Sequence, residues 1–255
     1  MNDVFDARLK TNFGMIVAGP PYSGNTLLFV YTSLRVINLI VFYLDALCPY
    51  GPSKNNASLF SGKSTWMVTL IRNAQRLIDN EFDYIVWFYG EENHLVNELQ
   101  NELSGKLMAV HGFPERLDDY IDKNRKGFHI FDDMMIELSS SKQMIELVAY
   151  KCQHSNLSWA VLLQSLFYNG KERLNLYRCA HYLCLFDNAL DRSQIYSLAH
   201  KVMPGNQKTF LNIFERATNK PNGYLLIDGR QSTPTDARFR TDIFNQVQTV
   251  LVPKR

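Results

Sequence analysis

Apolar runs bounded by polar and turn-forming residues alternate along the chain with stretches whose apolar residues recur at helical spacing. The runs are GMIVAG (14–19), DYIVWFYG (83–90), KLMAVHG (106–112), GFHIFDD (127–133), LSWAVLLQS (157–165) and AHYLCLFD (180–187). Their length and their β-branched and aromatic content predict strands buried on both faces. Helical spacing predicts helices over 65–78, 94–103, 114–124, 141–154, 191–202 and 206–219, with Pro114 opening the third and Asp191 near the N-cap of the fifth. GYLLIDG (223–229) and ARFRTDIF (237–244), joined by a turn-rich stretch, predict a terminal β-hairpin. Strands alternating with helices imply βαβ units, hence an α/β fold with a mainly parallel sheet and helices on both faces. There is no internal repeat and no low-complexity linker, so residues 1–255 are expected to form a single domain.

Composition supports a packed core: of the 255 residues 46% are hydrophobic and 20% charged. A net charge of +2 gives no global sign of a nucleic-acid partner and leaves only local patches to consider. Arg238 and Arg240 on one face of the last expected strand, with Lys201 and Lys208, are candidates for a DNA-facing surface, surface solvation being the alternative. Cys48, Cys152, Cys179 and Cys184 show neither CxxC pairing nor metal-ligand spacing, which suits a reduced intracellular compartment, cytoplasm or nucleus. The N-terminus carries acids and no apolar core, so no signal peptide is expected. Residues 27–47 approach the length of a membrane span. Arg35, Asn38 and Asp45 interrupt them, and central charges each cost about 2.5–3.5 kcal/mol on insertion, so a span is not expected. His154 and His181 lack metal-ligand partners at useful spacing and are expected to be structural.

A nucleotide triphosphatase needs a phosphate cradle, an acid that holds magnesium, and a group that orients the attacking water. The cradle pattern is GxxxxGK[ST] between a strand and a helix, where backbone N–H groups bind phosphate, the lysine reaches the β- and γ-oxygens and the hydroxyl meets Mg²⁺. Here MIVA is followed by Gly19-Pro20-Pro21-Tyr22-Ser23-Gly24, the first half of that pattern. The second half, Ser61-Gly62-Lys63-Ser64-Thr65, opens the first long helix. Removing Asn25 to Gly62 leaves GMIVAGPPYSG-KSTWMVTLI, a complete phosphate loop. The dipeptide Ser-Gly stands on both sides of the cut. Gly24-Asn25 can be encoded with a GTAA donor-like sequence, and Leu59–Gly62 with a pyrimidine-rich run followed by CAG and GT. Residues 25–62 therefore read as a retained intron, a genuine insertion being the alternative, and the chain as written is expected to bind ATP poorly or not at all.

FHIFDD places Asp132 and Asp133 at a strand end, Asp132 to hold Mg²⁺ through water and Asp133 to polarise the attacking water as general base. A pair of helix-capping acids is the alternative. LSWAVLLQS ends in Gln164, which in nucleotide hydrolases with an additional central strand contacts the γ-phosphate or the water; a polar residue that merely terminates a strand is the alternative. Arg173 and Arg178 are candidate arginine fingers, or members of a solvated helix face. Glu91 and Glu92 stand at another strand end and read as part of a turn.

The order of phosphate loop, FDDMM, HSNLSWAVLLQSLF, AHYLCLF and YLLID…RFRTDIF resembles the packaging ATPases of the FtsK–HerA group. The form it resembles is carried by double-stranded DNA viruses and by Polinton/Maverick-like and adintovirus-like elements integrated in animal genomes. The resemblance covers nearly the whole chain outside 25–62. It implies a RecA-like P-loop fold and an ATP- and Mg²⁺-dependent subunit of a homo-oligomeric ring that moves duplex DNA into a capsid. It also implies phosphate and Mg²⁺ contacts from Gly19, Gly24, Lys63 and Ser64, with Asp132, Asp133 and Gln164 in the roles given above; the arginine finger does not map securely. Two other readings compete. One is a P-loop nucleotide or nucleoside kinase, against which stands the lack of a clear lid, and the other is a non-enzymatic membrane-associated protein anchored by 27–47.

Overall fold

The structure, a computed structural model, describes residues 8–9, 14–18, 39–41, 62–134, 137–138, 141–164, 179–187 and 192–253. Its frame is a single sheet. Six strands run parallel in the order β7 (Tyr182–Phe186), β1 (Gly14–Ala18), β6 (Leu157–Leu162), β5 (Gly127–Asp132), β3 (Tyr84–Tyr89) and β4 (Leu107–His111). Beyond β7 the sheet turns antiparallel through β8 (Tyr224–Asp228), β9 (Phe239–Thr241) and the two-residue β10 (Thr249–Val250). The α/β class, the mainly parallel sheet and the C-terminal hairpin are those the sequence leads one to expect; β10 is an addition.

Every residue of β5 and β6 is buried. This is why those strands read as unbroken apolar runs rather than alternating ones. Ring stacking ties neighbours together: Phe88 on β3 lies 4.9 Å from Phe131 on β5, and Phe82 lies 4.8 Å from Phe128. β4, at the parallel edge, is only partly covered, with Leu107 buried and Met108 and His111 exposed.

Helices fill the connections. They are α1 (Gly62–Arg72), α2 (Ala74–Leu77), α3 (His94–Glu102), α4 (Lys142–Glu146), α5 (Cys152–His154), α6 (Ser193–Val202) and α7 (Gln207–Thr218). α1 is buried along most of its length, and Trp66 sets its ring edge-on to Tyr224 at 5.6 Å and Phe244 at 5.3 Å. Phe210, Ile213, Phe214 and Ala217 make the buried stripe of α7. Two helix expectations need correction and a third gains a detail. The stretch 65–78 breaks at Asn73, which forms the N-cap of α2. The helix expected over 141–154 is present as one run from Lys142 to His154, with π-helical register over Leu147–Lys151 between α4 and α5. Residues 114–124 form only a 3-10 turn, Leu117–Tyr120. There the Gln143 side chain holds the Leu117 N–H at 2.9 Å and the Tyr84 hydroxyl holds the Asp122 N–H at 3.0 Å, so tertiary bonds replace a helical ladder.

One position in the sheet has two claimants. β2 (Leu39–Val41) sets Leu39, Ile40 and Val41 opposite Tyr182, Leu183 and Cys184, the partners that β1 meets with Met15, Ile16 and Val17. On the other side Val41 and Val17 both face Leu162. Apart from this short strand, residues 25–61 and the stretch 27–47 lie outside the described residues. Among the described residues no helix is long and apolar enough to cross a membrane.

His129, in the middle of β5, is fully buried against Phe88 and Tyr84, and its Nε2 lies 3.0 Å from the Tyr120 carbonyl. Burial pushes its pKa down from 6.5 to about 4. Burial, with the Arg230 charge, lowers His181 to about 4 as well. An unfolded chain binds these protons more readily than the folded one. Their stabilising effect is therefore complete above about pH 6.5, is lost as pH falls from 6.5 towards 4, and falls no further below that. For His129 the loss amounts to about 3 kcal/mol. Urea midpoints measured from pH 7 to pH 4 will fall steeply for the native chain and less steeply for His129→Leu; parallel curves would remove His129 as the source.

Candidate functional site

The candidate site lies where α1 begins, beside the C-terminal ends of β5 and β6. The strand order matters here. β6 lies between β1, which precedes the first half of the phosphate-loop pattern, and β5, which carries the two acids. The ends of β5 and β6 are brought level by their register, in which Asp132 faces Leu162.

Lys63 and Ser64 occupy the first turn of α1, and both are buried. Ser64 Oγ donates to Asp132 Oδ2 at 2.8 Å across a sequence separation of 68. Burial raises the Asp132 pKa, opposed by the Lys63 charge and the Ser64 hydrogen bond. The hydroxyl, the ammonium and the carboxylate are thus mutually supporting in a place where a lone carboxylate is costly. Gly62 opens α1, half-buried, and Thr65 is exposed on it.

Asp133 departs from the expected strand. It follows β5 with φ of 57°, in the left-handed region, a conformation that costs a non-glycine residue about 1 kcal/mol or more and that Asp tolerates better than most. Its carboxylate is half-buried and accepts a hydrogen bond from Gln164 Nε2 at 2.6 Å. Two pairs therefore stand side by side, Ser64 with Asp132 and Gln164 with Asp133. Gly19, Pro20, Ser23, Gly24 and Arg173 lie outside the described residues, as does Arg178.

The donor set fits magnesium. Mg²⁺ takes oxygen ligands at about 2.0–2.1 Å in octahedral geometry, which separates neighbouring ligand oxygens by about 2.9 Å, and it characteristically uses one or two protein oxygens together with phosphate and water. Ser64 Oγ and the Asp132 carboxylate stand together, a hydroxyl for direct contact and a carboxylate within reach of a metal-bound water. Among the described residues there is no group of three or more His, Cys, Asp or Glu able to hold a metal by itself.

Other expectations change. Arg240 is fully buried, not DNA-facing, because its guanidinium is consumed at Asp228. Arg240 Nη2 donates to Asp228 Oδ2 at 2.7 Å, while Arg230 Nε donates to Oδ1 at 2.8 Å and its Nη2 to Oδ2. Both guanidinium groups lie over the Tyr182 ring, at 5.2 Å for Arg230 and 5.8 Å for Arg240. Arg238 precedes β9 and does not share a strand with Arg240; Lys201 and Lys208 are exposed. Glu92 accepts from Asn97 at 3.0 Å and Asn93 caps α3, so this segment serves the helix start, as a turn would. His154 is exposed.

No family model matches the chain, and no curated protein matches it. Among solved structures the chain is similar to the DNA-packaging ATPase B204 of Sulfolobus turreted icosahedral virus, at 8% identity and a TM-score of 0.45, over 76% of this chain and 93% of the other. It is also similar to the genome-packaging NTPase B204 of Sulfolobus turreted icosahedral virus 2. With sulfate that protein matches at 8% identity and 0.45 over 96% of this chain and 98% of the other. With ATP-gammaS it matches at 9% and 0.44 over 87% and 95%.

Proposed function

We propose that the chain is an ATP-hydrolysing subunit of a DNA-translocating or packaging motor, a P-loop NTPase whose nucleotide site is impaired by residues 25–62. The observation that carries this reading is the meeting of Lys63 and Ser64 with Asp132, next to Gln164 with Asp133, at adjacent strand ends. In the hydrolytic role Lys63 binds the β- and γ-phosphate oxygens. Ser64 directly, and Asp132 through water, would hold Mg²⁺, which would supply charge neutralisation on the phosphates. Asp133 takes the proton of the attacking water while Gln164 fixes that water's orientation, and Gly19 to Gly24 supply backbone N–H groups. Arg173 is assigned to a neighbouring subunit's site as an arginine finger. The packaging-ATPase resemblance of the sequence supplies the duplex DNA, the homo-oligomeric ring, the capsid partner and the origin in an integrated viral-type element. The segment 25–62 is assigned to a retained intron, which sequencing of the mature transcript across codons 24–63 tests directly.

The test of function is Mg²⁺-dependent ATP hydrolysis with and without duplex DNA, by the chain lacking 25–62. Stimulation by DNA is the expected result, together with a fall of at least tenfold on Asp132→Asn, since metal-bound charge stabilisation is lost. Phosphoryl transfer to a nucleotide acceptor in place of water would move the protein to the kinases.

A further inference from the structure

We propose that Gly90 is a positioning residue for the Asp133 carboxylate, acting through the backbone at the tip of β5. The inference rests on the reading of Asp133 as the group that activates water. Three strand ends meet at this tip. From the β6 side, the Leu162 carbonyl accepts the Asp133 N–H at 3.4 Å; from the β3 side, the Gly90 N–H donates to the Asp132 carbonyl at 3.1 Å. Asp133 then turns left-handed, and this turn carries its own carbonyl onto Gly90. A Cβ at position 90 would lie 2.9 Å from that oxygen, closer than real Cβ atoms come, and the neighbour it meets is backbone rather than a flexible side chain. Gly90 itself does not have a left-handed φ, so the position demands glycine for space and not for conformation.

The consequence is geometric. The Asp133 turn is compatible with β3 only while residue 90 has no side chain, and the same turn delivers the carboxylate to Gln164 Nε2 at 2.6 Å. A methyl at 90 displaces the Asp133 carbonyl, rotates the peptide that follows, and draws the carboxylate off Gln164. Lys63 and Ser64 are on α1 and do not depend on this turn.

The test uses the full chain, ¹⁵N-labelled and without nucleotide. The Gln164 side-chain amide signal is identified by its loss in Gln164→Leu. Gly90→Ala is expected to shift that signal by more than a line width, as Asp133→Asn does, and to add nothing further in the Asp133→Asn background. A Gly90→Ala chain that folds with the Gln164 signal unmoved overturns the proposal. If Gly90→Ala does not fold, Asp133→Gly is introduced beside it, because glycine lets the tip yield. Recovery of a cooperative melt supports the clash at residue 133, and no recovery overturns it. The amide readout needs no ATP, so failure of the nucleotide assays would remove the functional reading and leave the positioning result standing.

Discussion

Deleting residues 25–62 will raise the affinity for Mg·ATP about a hundredfold or more. A phosphate cradle works by consecutive backbone N–H groups converging on one anion at a helix N-terminus. In the full chain Gly24 and Lys63 are separated by residues 25–62, while Lys63 and Ser64 already stand beside Asp132. Hydrogen bonds to a charged group contribute about 1.5–3 kcal/mol each, so recovering two of them accounts for a factor of about a hundred. Titration of a fluorescent ATP analogue into both forms measures the effect. Equal affinities would mean that the loop is not split in any functional sense, and that a different arrangement cradles phosphate.

Replacing Asp228 by Asn will cost about 3–5 kcal/mol of folding stability, because it strips the shared anion from two buried guanidinium groups. Arg230 is 3% exposed and Arg240 0%, so water cannot take the carboxylate's place without opening the β7–β8–β9 packing. The Tyr182 ring under both groups offers cation–π attraction, about 2 kcal/mol at best when desolvated, too little to replace a carboxylate bonded three ways. Arg240→Met will cost less, since Asp228 keeps two guanidinium bonds and a backbone N–H bond from Arg230. Urea denaturation at pH 7 gives both values. A loss below about 1 kcal/mol for Asp228→Asn, the range of exposed pairs, would show that the triad is effectively solvated.

Much of the frame was legible in the sequence because the signals were local. GFHIFDD and LSWAVLLQS read as buried strands since both faces of β5 and β6 are covered, and Lys63-Ser64 and Asp132 read as partners because the motif order is tied to a known chemistry. What escaped was set by register. Arg240 looked like surface because its anion, Asp228, lies across the hairpin, and nothing in ARFRTDIF names it. Gly90 stood in the sequence only as the last residue of the run DYIVWFYG, and its need for space arises from Asp133 after the adjacent strand. The 3-10 turn at 117–120 was hidden because Gln143 and Tyr84, distant in sequence, take the N–H groups a helix would have used.

The hydrogen bond from Ser64 to Asp132 ties the start of α1 to the tip of β5 across 68 residues of chain. Residues 25–62 precede both partners. The covalent path between helix start and strand end is therefore the same with or without that segment, and the loop-closure entropy of the pair is untouched by the deletion.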